Sequence, residues 1–115
     1  MKITFLDAST VDAGDINLDC IREHGDLIIH STTSNNETLQ RVIDSEIIIT
    51  NKVVIDKPII EASKKLKLIV VSATGYNNID VEAAKTNNVT VCNVVDYSTP
   101  IVAQHTISLI LNLCG

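Results

Sequence analysis

The stretch LKLIVVSATGYNNIDVEAAK, Leu66–Lys85, decides the fold because it contains a strand, a turn and a helix in succession. Its first part, Leu66–Ala73, is apolar on consecutive positions and rich in β-branched residues. Such a strand must be covered on both faces, which is typical of a parallel sheet. Asp80 then predicts the N-cap of a helix that extends to Asn87. The stretch therefore predicts one strand–helix unit of a parallel α/β domain.

The same pattern recurs along the chain about every twenty residues. The other predicted strands are Lys2–Asp7, Asp26–Ser31, Glu46–Thr50 and Val89–Val94. The other predicted helices are Asp15–His24, Asn36–Ile43, Lys57–Lys65 and Thr99–Leu113. Strands that alternate with helices through short loops predict a right-handed, doubly wound sheet. For five strands we expect the flavodoxin-like order 2-1-3-4-5, with ligands at the carboxyl ends of the strands.

The last predicted helix, Thr99–Leu113, is apolar around most of its circumference. A helix of that kind needs burial on all sides, and a domain of this size could cover only one side. We therefore expect this helix to pack against a second domain or a partner subunit. The sequence stops on Gly115 directly after the helix, as at a domain border.

Composition excludes several classes of protein. Apolar residues make up 45% of the chain and charged residues 20%, which is typical of a globular domain. The net charge is −5 and no run of Lys or Arg occurs, which argues against nucleic acid or an anionic membrane as a partner. Neither a secretory signal nor a membrane-spanning stretch is present. Three distant cysteines, Cys20, Cys92 and Cys114, predict packed, reduced thiols, no metal site and a cytoplasmic protein.

Two loops carry the residues that could bind a ligand. In Ser72–Asp80, Gly75 would let the backbone approach a ligand, and successive N–H groups could form a nest for a carboxylate. The alternative is an ordinary turn in which Gly75 supplies a positive φ. In the loop after the fifth strand, Tyr97 would lie at the carboxyl end of the sheet, either in the site or as a solvated rim residue. Ser98 or Thr99 would cap the last helix, with Pro100 in its first turn.

The segments SATGYNNIDVEAAK and VTVCNVVDYSTPIVAQHT, in this order and separation, resemble the D-isomer-specific 2-hydroxyacid dehydrogenases. The glycerate dehydrogenase, or hydroxypyruvate reductase, subgroup is the most similar, and ITNKVVID at Ile49–Asp56 fits the same subgroup. The resemblance covers essentially the whole chain. It implies a homodimeric oxidoreductase that uses NAD or NADP and acts on a small 2-hydroxy or 2-oxo acid.

The resemblance also implies residue roles. The amides of Thr74 and Gly75 would bind the substrate carboxylate, and Asn51 and Lys52 would face the outer end of the substrate. Tyr97 lines the same pocket in some relatives. Residues on the last helix would lie near the nicotinamide side of the cleft; these are Val102 and Thr106. Residues 1–98 would be the substrate domain, and residues 99–115 a hinge helix leading to an NAD-binding domain outside this sequence.

The catalytic groups of the family, an Arg, a Glu or Asp and a His, would lie downstream, so no catalytic residue is expected within this chain. Glycine occurs only at positions 14, 25, 75 and 115, and no G-x-G-x-x-G loop can be written. We expect His24, His30 and His105 to be structural rather than acid–base residues. The isolated chain is expected to bind NAD weakly at best and to reduce no 2-oxo acid.

Two other functions stay open on the same fold. A receiver-like module would have acidic residues after the first and third strands. A flavodoxin-like module would have a phosphate-binding loop after the first strand. Asp7 is present, but Asn51 and Lys52 follow the third strand, and Ala8-Ser9-Thr10 is a weak phosphate loop. The other possibility is an inactive domain that only pairs with other chains. Fold alone does not decide among these functions.

Overall fold

The five strands of the computed structural model, which describes residues 1–115, form one parallel sheet in the order β2-β1-β3-β4-β5. The strands are β1 Lys2–Phe5, β2 Asp26–Ile29, β3 Ile47–Thr50, β4 Leu68–Val71 and β5 Thr90–Cys92. This confirms the predicted fold class and strand order. Because all neighbours run parallel, the loops that follow the strands meet at one edge of the sheet.

Helices connect the strands as predicted. They are α1 Asp19–Arg22, α2 Asn35–Val42, α3 Lys57–Ala62, α4 Val81–Thr86 and α5 Thr99–Cys114, with a 3-10 turn at Ala8–Thr10. Asp80 caps α4 by accepting a hydrogen bond from the N–H of Ala83 at 2.9 Å, as the sequence predicted. Ser98 is the N-cap residue of α5, although its side chain makes no capping hydrogen bond.

The core lies on both faces of the sheet, and consecutive strand residues alternate between the two. One face packs against α2, α3 and α4, with Ile48, Ile69 and Val71 at its centre. The other face is smaller and is built around Ile3 and Phe5 with α1 beside them. Burial on both faces is the reason that the strands are apolar on consecutive positions.

The first helix is much shorter than the predicted Asp15–His24. Hydrogen bonds from side chains hold the preceding residues in a turn instead. Asp12 Oδ1 accepts from the N–H groups of Gly14, Asp15 and Ile16 at 2.7–3.2 Å, and Gly14 has a φ of +93°. Asn17 Oδ1 then accepts from the N–H of Asp19 at 2.8 Å, a donor that a helix from Asp15 would pair with the Asp15 carbonyl. Helix α1 therefore keeps a single turn.

Helix α5 extends away from the rest of the chain. The principal extents are 57 × 32 × 24 Å, and the radius of gyration of 16.6 Å exceeds the roughly 13 Å typical of a compact chain of this length. No residue of α5 is buried, and Leu113 is 88% exposed. The domain thus covers neither side of this helix. None of the helices has the length and hydropathy needed to cross a membrane.

The three cysteines are free, in line with the absence of a predicted disulfide, but all are exposed. The expectation that they pack as small apolar residues is therefore wrong. Cys20 lies in the single-turn helix α1, Cys92 ends the edge strand β5, and Cys114 ends α5.

Candidate functional site

A cleft of about 350 Å³ opens at the carboxyl edge of the sheet, between the loops that follow β3 and β4. Four of its six lining residues have polar side chains; the lining consists of Asn51, Lys52, Ala73, Gly75, Asn77 and Asn78. The structure thus brings together three of the residues that the sequence singled out, Asn51, Lys52 and Gly75. They meet because Ile49 of β3 is in register with Val70 of β4, so that both loops begin at the same level.

The backbone N–H groups of the bend after β4 are free. Those of Thr74, Gly75, Tyr76 and Asn77 donate no hydrogen bond within the chain, and these four residues are exposed. The carbonyl of Thr74 is held by the Asn93 side chain, whose Nδ2 donates to it at 2.7 Å. Consecutive free donors on an anchored loop can bind an anion such as a carboxylate. The bend can therefore bind an acid without first losing a hydrogen bond.

The backbone conformation at position 75 does not require a glycine. Its φ lies outside the left-handed region, and the alternative that this glycine only supplies a positive φ is wrong. A Cβ built on it would meet nothing closer than Asn77 Oδ1, at 3.5 Å. Alanine would fit the fold, but its methyl group would stand in the cleft beside Asn77. The absence of a side chain at Gly75 therefore leaves space for a ligand to approach the bend.

Asn78 joins the two loops that form the cleft. Its Nδ2 donates to the carbonyl of Val53 at 2.9 Å, and its own carbonyl accepts from the N–H of Ile55 at 2.9 Å. The N–H of Asp80 donates in turn to the carbonyl of Ile55 at 3.0 Å. The walls of the cleft are therefore cross-linked below its mouth, which fixes the separation between the free amides and the tip of β3.

The tip of β3 rests on the buried carboxylate of Asp7, which is 3% exposed. Asp7 Oδ2 accepts from the N–H groups of Lys52 and Val53 at 2.6 and 3.2 Å, and Oδ1 accepts from that of Asn51 at 2.9 Å. The hydroxyl of Thr50 also donates to Oδ2 at 3.3 Å. Each bond satisfies part of a charge that would otherwise be costly to bury. Asp7 thus determines the direction in which Asn51 and Lys52 leave the sheet.

Lys52 and Asn51 each carry a polar group that has no partner within the chain. The ammonium group of Lys52 forms no ion pair or hydrogen bond within the chain, and the residue is exposed. Asn51 Nδ2 donates to Thr10 Oγ1 at 3.0 Å, whereas its buried Oδ1 has no partner. The cleft is therefore lined by a free cation, Lys52, together with Gly75 of the bend, whereas Asn51 Oδ1 is buried.

Lys52 also borders a second, shallower cleft of about 260 Å³ on the β1–β2 side. Its other lining residues are Asp7, Thr10, Thr32, Thr33, Asn35 and Val53. Arg41 holds this wall, because its Nη1 donates to the Thr32 carbonyl at 2.7 Å and to Thr33 Oγ1 at 2.6 Å. Glu37 accepts from Arg41 Nη2 at 2.9 Å and completes the capping box of α2 with Ser34.

The charges around α2 predict that acid weakens the fold. Burial, followed by the Arg41 guanidinium, lowers the pKa of His30 below its usual 6.5, so the unfolded chain takes up this proton first as the pH falls. The Ser34 hydroxyl and N–H lower the pKa of Glu37, and its stabilising contribution is present above the usual 4.5 and lost below it. Melting temperatures should fall on acidification from about pH 7.5 to about pH 3, in calorimetry. Glu37→Gln should flatten the lower half of this profile and His30→Gln the upper half; a profile unchanged in both variants would contradict the assignment.

Tyr97, Val102 and Thr106 lie outside both clefts. Tyr97 is in the loop between β5 and α5, is 63% exposed and lines neither cleft. Val102 and Thr106 are one turn apart on exposed α5, where Thr106 Oγ1 donates to the Val102 carbonyl at 2.8 Å. Their roles toward substrate and cofactor stay predictions.

With this geometry established, comparison with known proteins identifies the family. The profile described as D-isomer specific 2-hydroxyacid dehydrogenase, catalytic domain, matches residues 6–108. The chain belongs to the D-isomer-specific 2-hydroxyacid dehydrogenase family. The resemblance found in the sequence is thereby confirmed.

Relatives within the dehydrogenase family include proteins that bear the subgroup names. A hydroxypyruvate reductase of Blautia hydrogenotrophica is 33% identical, over 99% of this chain and 36% of its own length. A glycerate dehydrogenase of Methylorubrum extorquens is 32% identical, over 97% of this chain and 35% of its own length. The chain thus spans about a third of the curated relatives it matches.

Solved structures of similar proteins agree with the fold. An acyclic imino acid reductase in complex with NADPH and D-Arg superposes with a TM-score of 0.80 at 30% identity. The superposition covers 94% of this chain and 35% of that protein. The likeness extends over both the sheet and its helices, which supports the α/β architecture independently of the sequence motifs.

The residues present do not by themselves fit the dinucleotide that this family uses. None of the four glycines belongs to a G-x-G-x-x-G loop, so the chain has no glycine-rich turn for the pyrophosphate of a dinucleotide. Val102 and Thr106 would contribute one face of a helix at most. We therefore assign no step of hydride transfer to this chain.

Sequence reasoning missed two residues that shape the site, Asp7 and Asn78. Asp7 was considered only as an acid of a receiver-like module. The predicted order 2-1-3 already placed the ends of the first and third strands side by side, which was the available signal for Asp7. The Asn78 bridge depends on a side-chain rotamer, and the sequence carries no comparable signal for it.

Proposed function

We propose that this chain is the substrate-binding part of an NAD- or NADP-dependent oxidoreductase that acts on small D-2-hydroxy acids of the glycerate or hydroxypyruvate kind. The observation that carries the proposal is the row of free amides at Thr74 and Gly75, because Gly75 lines the same cleft as Lys52, whose ammonium is unpaired. The amides would hold the carboxylate, and Asn51 and Lys52 would contact the polar outer end of the acid. The cleft, of about 350 Å³, has room for a short acid with a polar group at each end.

The other parts of the proposal concern what surrounds these residues. Residues 1–98 would be the substrate domain, and residues 99–115 a hinge helix leading to the unit that binds the dinucleotide. Tyr97 would complete the cleft, and Val102 and Thr106 would face the cofactor once that unit is in place. We further propose a cytoplasmic homodimer in which the exposed α5 is covered. The 115 residues alone would bind the acid and catalyse no turnover.

The Gly75→Ala variant tests the proposal because it separates binding from folding. Gly75 has no positive φ and its added methyl group would meet only ordinary contacts, so the melting temperature should stay unchanged or rise slightly. The methyl group would keep a carboxylate from the amides. Binding of D-glycerate, followed by 15N NMR of the Thr74 and Gly75 amides, should weaken at least about tenfold, which corresponds to the loss of a charge-assisted hydrogen bond.

Gly14→Ala is the contrasting control. Gly14 has a φ of +93° and lies in the Asp12 turn, away from the cleft. This variant should lower the melting temperature and leave glycerate binding unchanged. Glycerate binding that is equal in Gly75→Ala and the parent chain would contradict the proposed role of the bend.

A further inference from the structure

The tip of β3 is held by a charge rather than by the sheet. Past Thr50 the ladder ends, and the next three N–H groups, of Asn51, Lys52 and Val53, all turn toward the Asp7 carboxylate. The Asp7 carboxylate is also fixed from the other side. Leu6, its neighbour in the chain, donates its N–H to the Ile49 carbonyl at 3.0 Å, so the backbone that carries Asp7 is itself bonded to β3.

This arrangement is specific to a carboxylate. Both oxygens only accept, and every neighbouring group just named donates. An asparagine of the same shape would have to point its NH2 group either at the N–H of Asn51 or at the N–H groups of Lys52 and Val53, so that two donors would face each other. The loop backbone would have to move, and the side chains of Asn51 and Lys52 would move with it. The bend after β4 has no contact with Asp7 and would keep its free amides.

We propose that Asp7 is a positioning residue for substrate recognition: it orients Asn51 and Lys52 toward the outer end of the bound acid and leaves carboxylate capture to the bend. This rests on the proposed function and adds a division of labour to it. One loop would bind any carboxylate, whereas the other, aligned by Asp7, would select among carboxylic acids.

The separation of roles can be measured with two acids. Acetate has a carboxylate and nothing for Asn51 or Lys52 to contact, whereas D-glycerate has both. In the 15N-labelled parent chain, both should shift the Gly75 amide, and D-glycerate should bind about fivefold more tightly, as expected for one additional net hydrogen bond. In Asp7→Asn, acetate affinity should stay within about twofold of the parent chain, and the preference for D-glycerate should disappear.

The matched control is Thr4→Val, in the strand β1 that precedes Asp7. Thr4 Oγ1 pairs with Ser45 Oγ at 2.7 Å, in a buried position away from the cleft. This variant loses a buried polar contact and some stability, yet should keep the preference for D-glycerate. If Asp7→Asn does not fold, Thr50→Val removes one hydroxyl that donates to Asp7 and accepts from Val53, and should lower the preference in part.

Each result has a distinct meaning. A preference for D-glycerate that persists in Asp7→Asn, or in Thr50→Val where that variant is used, would overturn the role of Asp7 while the proposed function stands. A preference lost equally in Thr4→Val would show that Asp7 acts only through overall stability and would also overturn the inference. If neither acid shifts the Gly75 amide of the parent chain, the proposed function fails and the role of Asp7 fails with it.

Discussion

Replacing Ile69 by alanine should lower the free energy of unfolding by about 3–4 kcal/mol, the usual range for a large aliphatic side chain removed from a rigid core. Ile69 is 0% exposed and lies in β4, between Ile48 of β3 and Val91 of β5. With only 3% aromatic residues, the chain has few large side chains that could move into the cavity. A domain of this size has about 5–15 kcal/mol of stability in all, so the loss should be a large fraction of it.

Urea unfolding at low protein concentration measures this effect, with Ile16→Ala as the same chemical change at a position that is 48% exposed. The control should change stability by less than about 1 kcal/mol. A loss below about 1 kcal/mol for Ile69→Ala would show that the core between β3 and β5 collapses around the cavity, contrary to its tight packing.

The purified chain should self-associate through α5, and glutamine at Ile107 and Leu111 should abolish this. Both residues are more than half exposed and lie one turn apart. Burial of such a side chain contributes about 1.5–3 kcal/mol, so the double variant should weaken association by at least about a hundredfold. Sedimentation velocity over a concentration series gives the constant directly.

Glutamine at Ser108 and Asn112 provides the matched control. These residues form a polar stripe of α5 in which Ser108 Oγ donates to the Gln104 carbonyl and Asn112 Nδ2 to the Ser108 carbonyl. The control variant should associate as the parent chain does. A parent chain that sediments as a monomer at all concentrations would contradict the prediction and would leave α5 dependent on a different partner.

The sheet could be predicted from the sequence because burial on both faces leaves a direct signature, runs such as Ile47–Ile49 and Leu68–Val71 that do not alternate. The strand ends were placed too far out, since apolar residues continue past the last ladder bond: Leu6 and Val89 are buried but lie outside β1 and β5. The length of α1 was overestimated for a different reason. The four-residue spacing of Ile16 and Cys20 fits a helix, but the Asn17 side chain accepts from the N–H of Asp19, the donor that a helix would pair with the carbonyl of Asp15.

The candidate site was predicted in part. Residues that follow strands, such as Asn51 and Gly75, could be placed because strand order determines which loops are neighbours. The backbone angle of Gly75, the orientation of Asp7 and the bridge from Asn78 depend on torsions that no spacing rule encodes. Tyr97 follows a strand as well, but β5 is an edge strand of three residues, and the loop after it turns away from both clefts. Residues that follow an edge strand therefore join the site less reliably than residues that follow a central strand.

Because the strands are parallel, the sheet has two opposite edges, and these edges differ in how well they should tolerate an insertion. The binding loops occupy one edge, and the turns that lead from helices into strands, such as the one at Asn88 with its φ of 57°, occupy the opposite edge. A fluorophore, an affinity tag or a short inserted peptide placed at that opposite edge would be separated from the acid by the full length of the strands. The edge at Asn88 is therefore a suitable position for a reporter group, because a group there would not obstruct the mouth of the cleft.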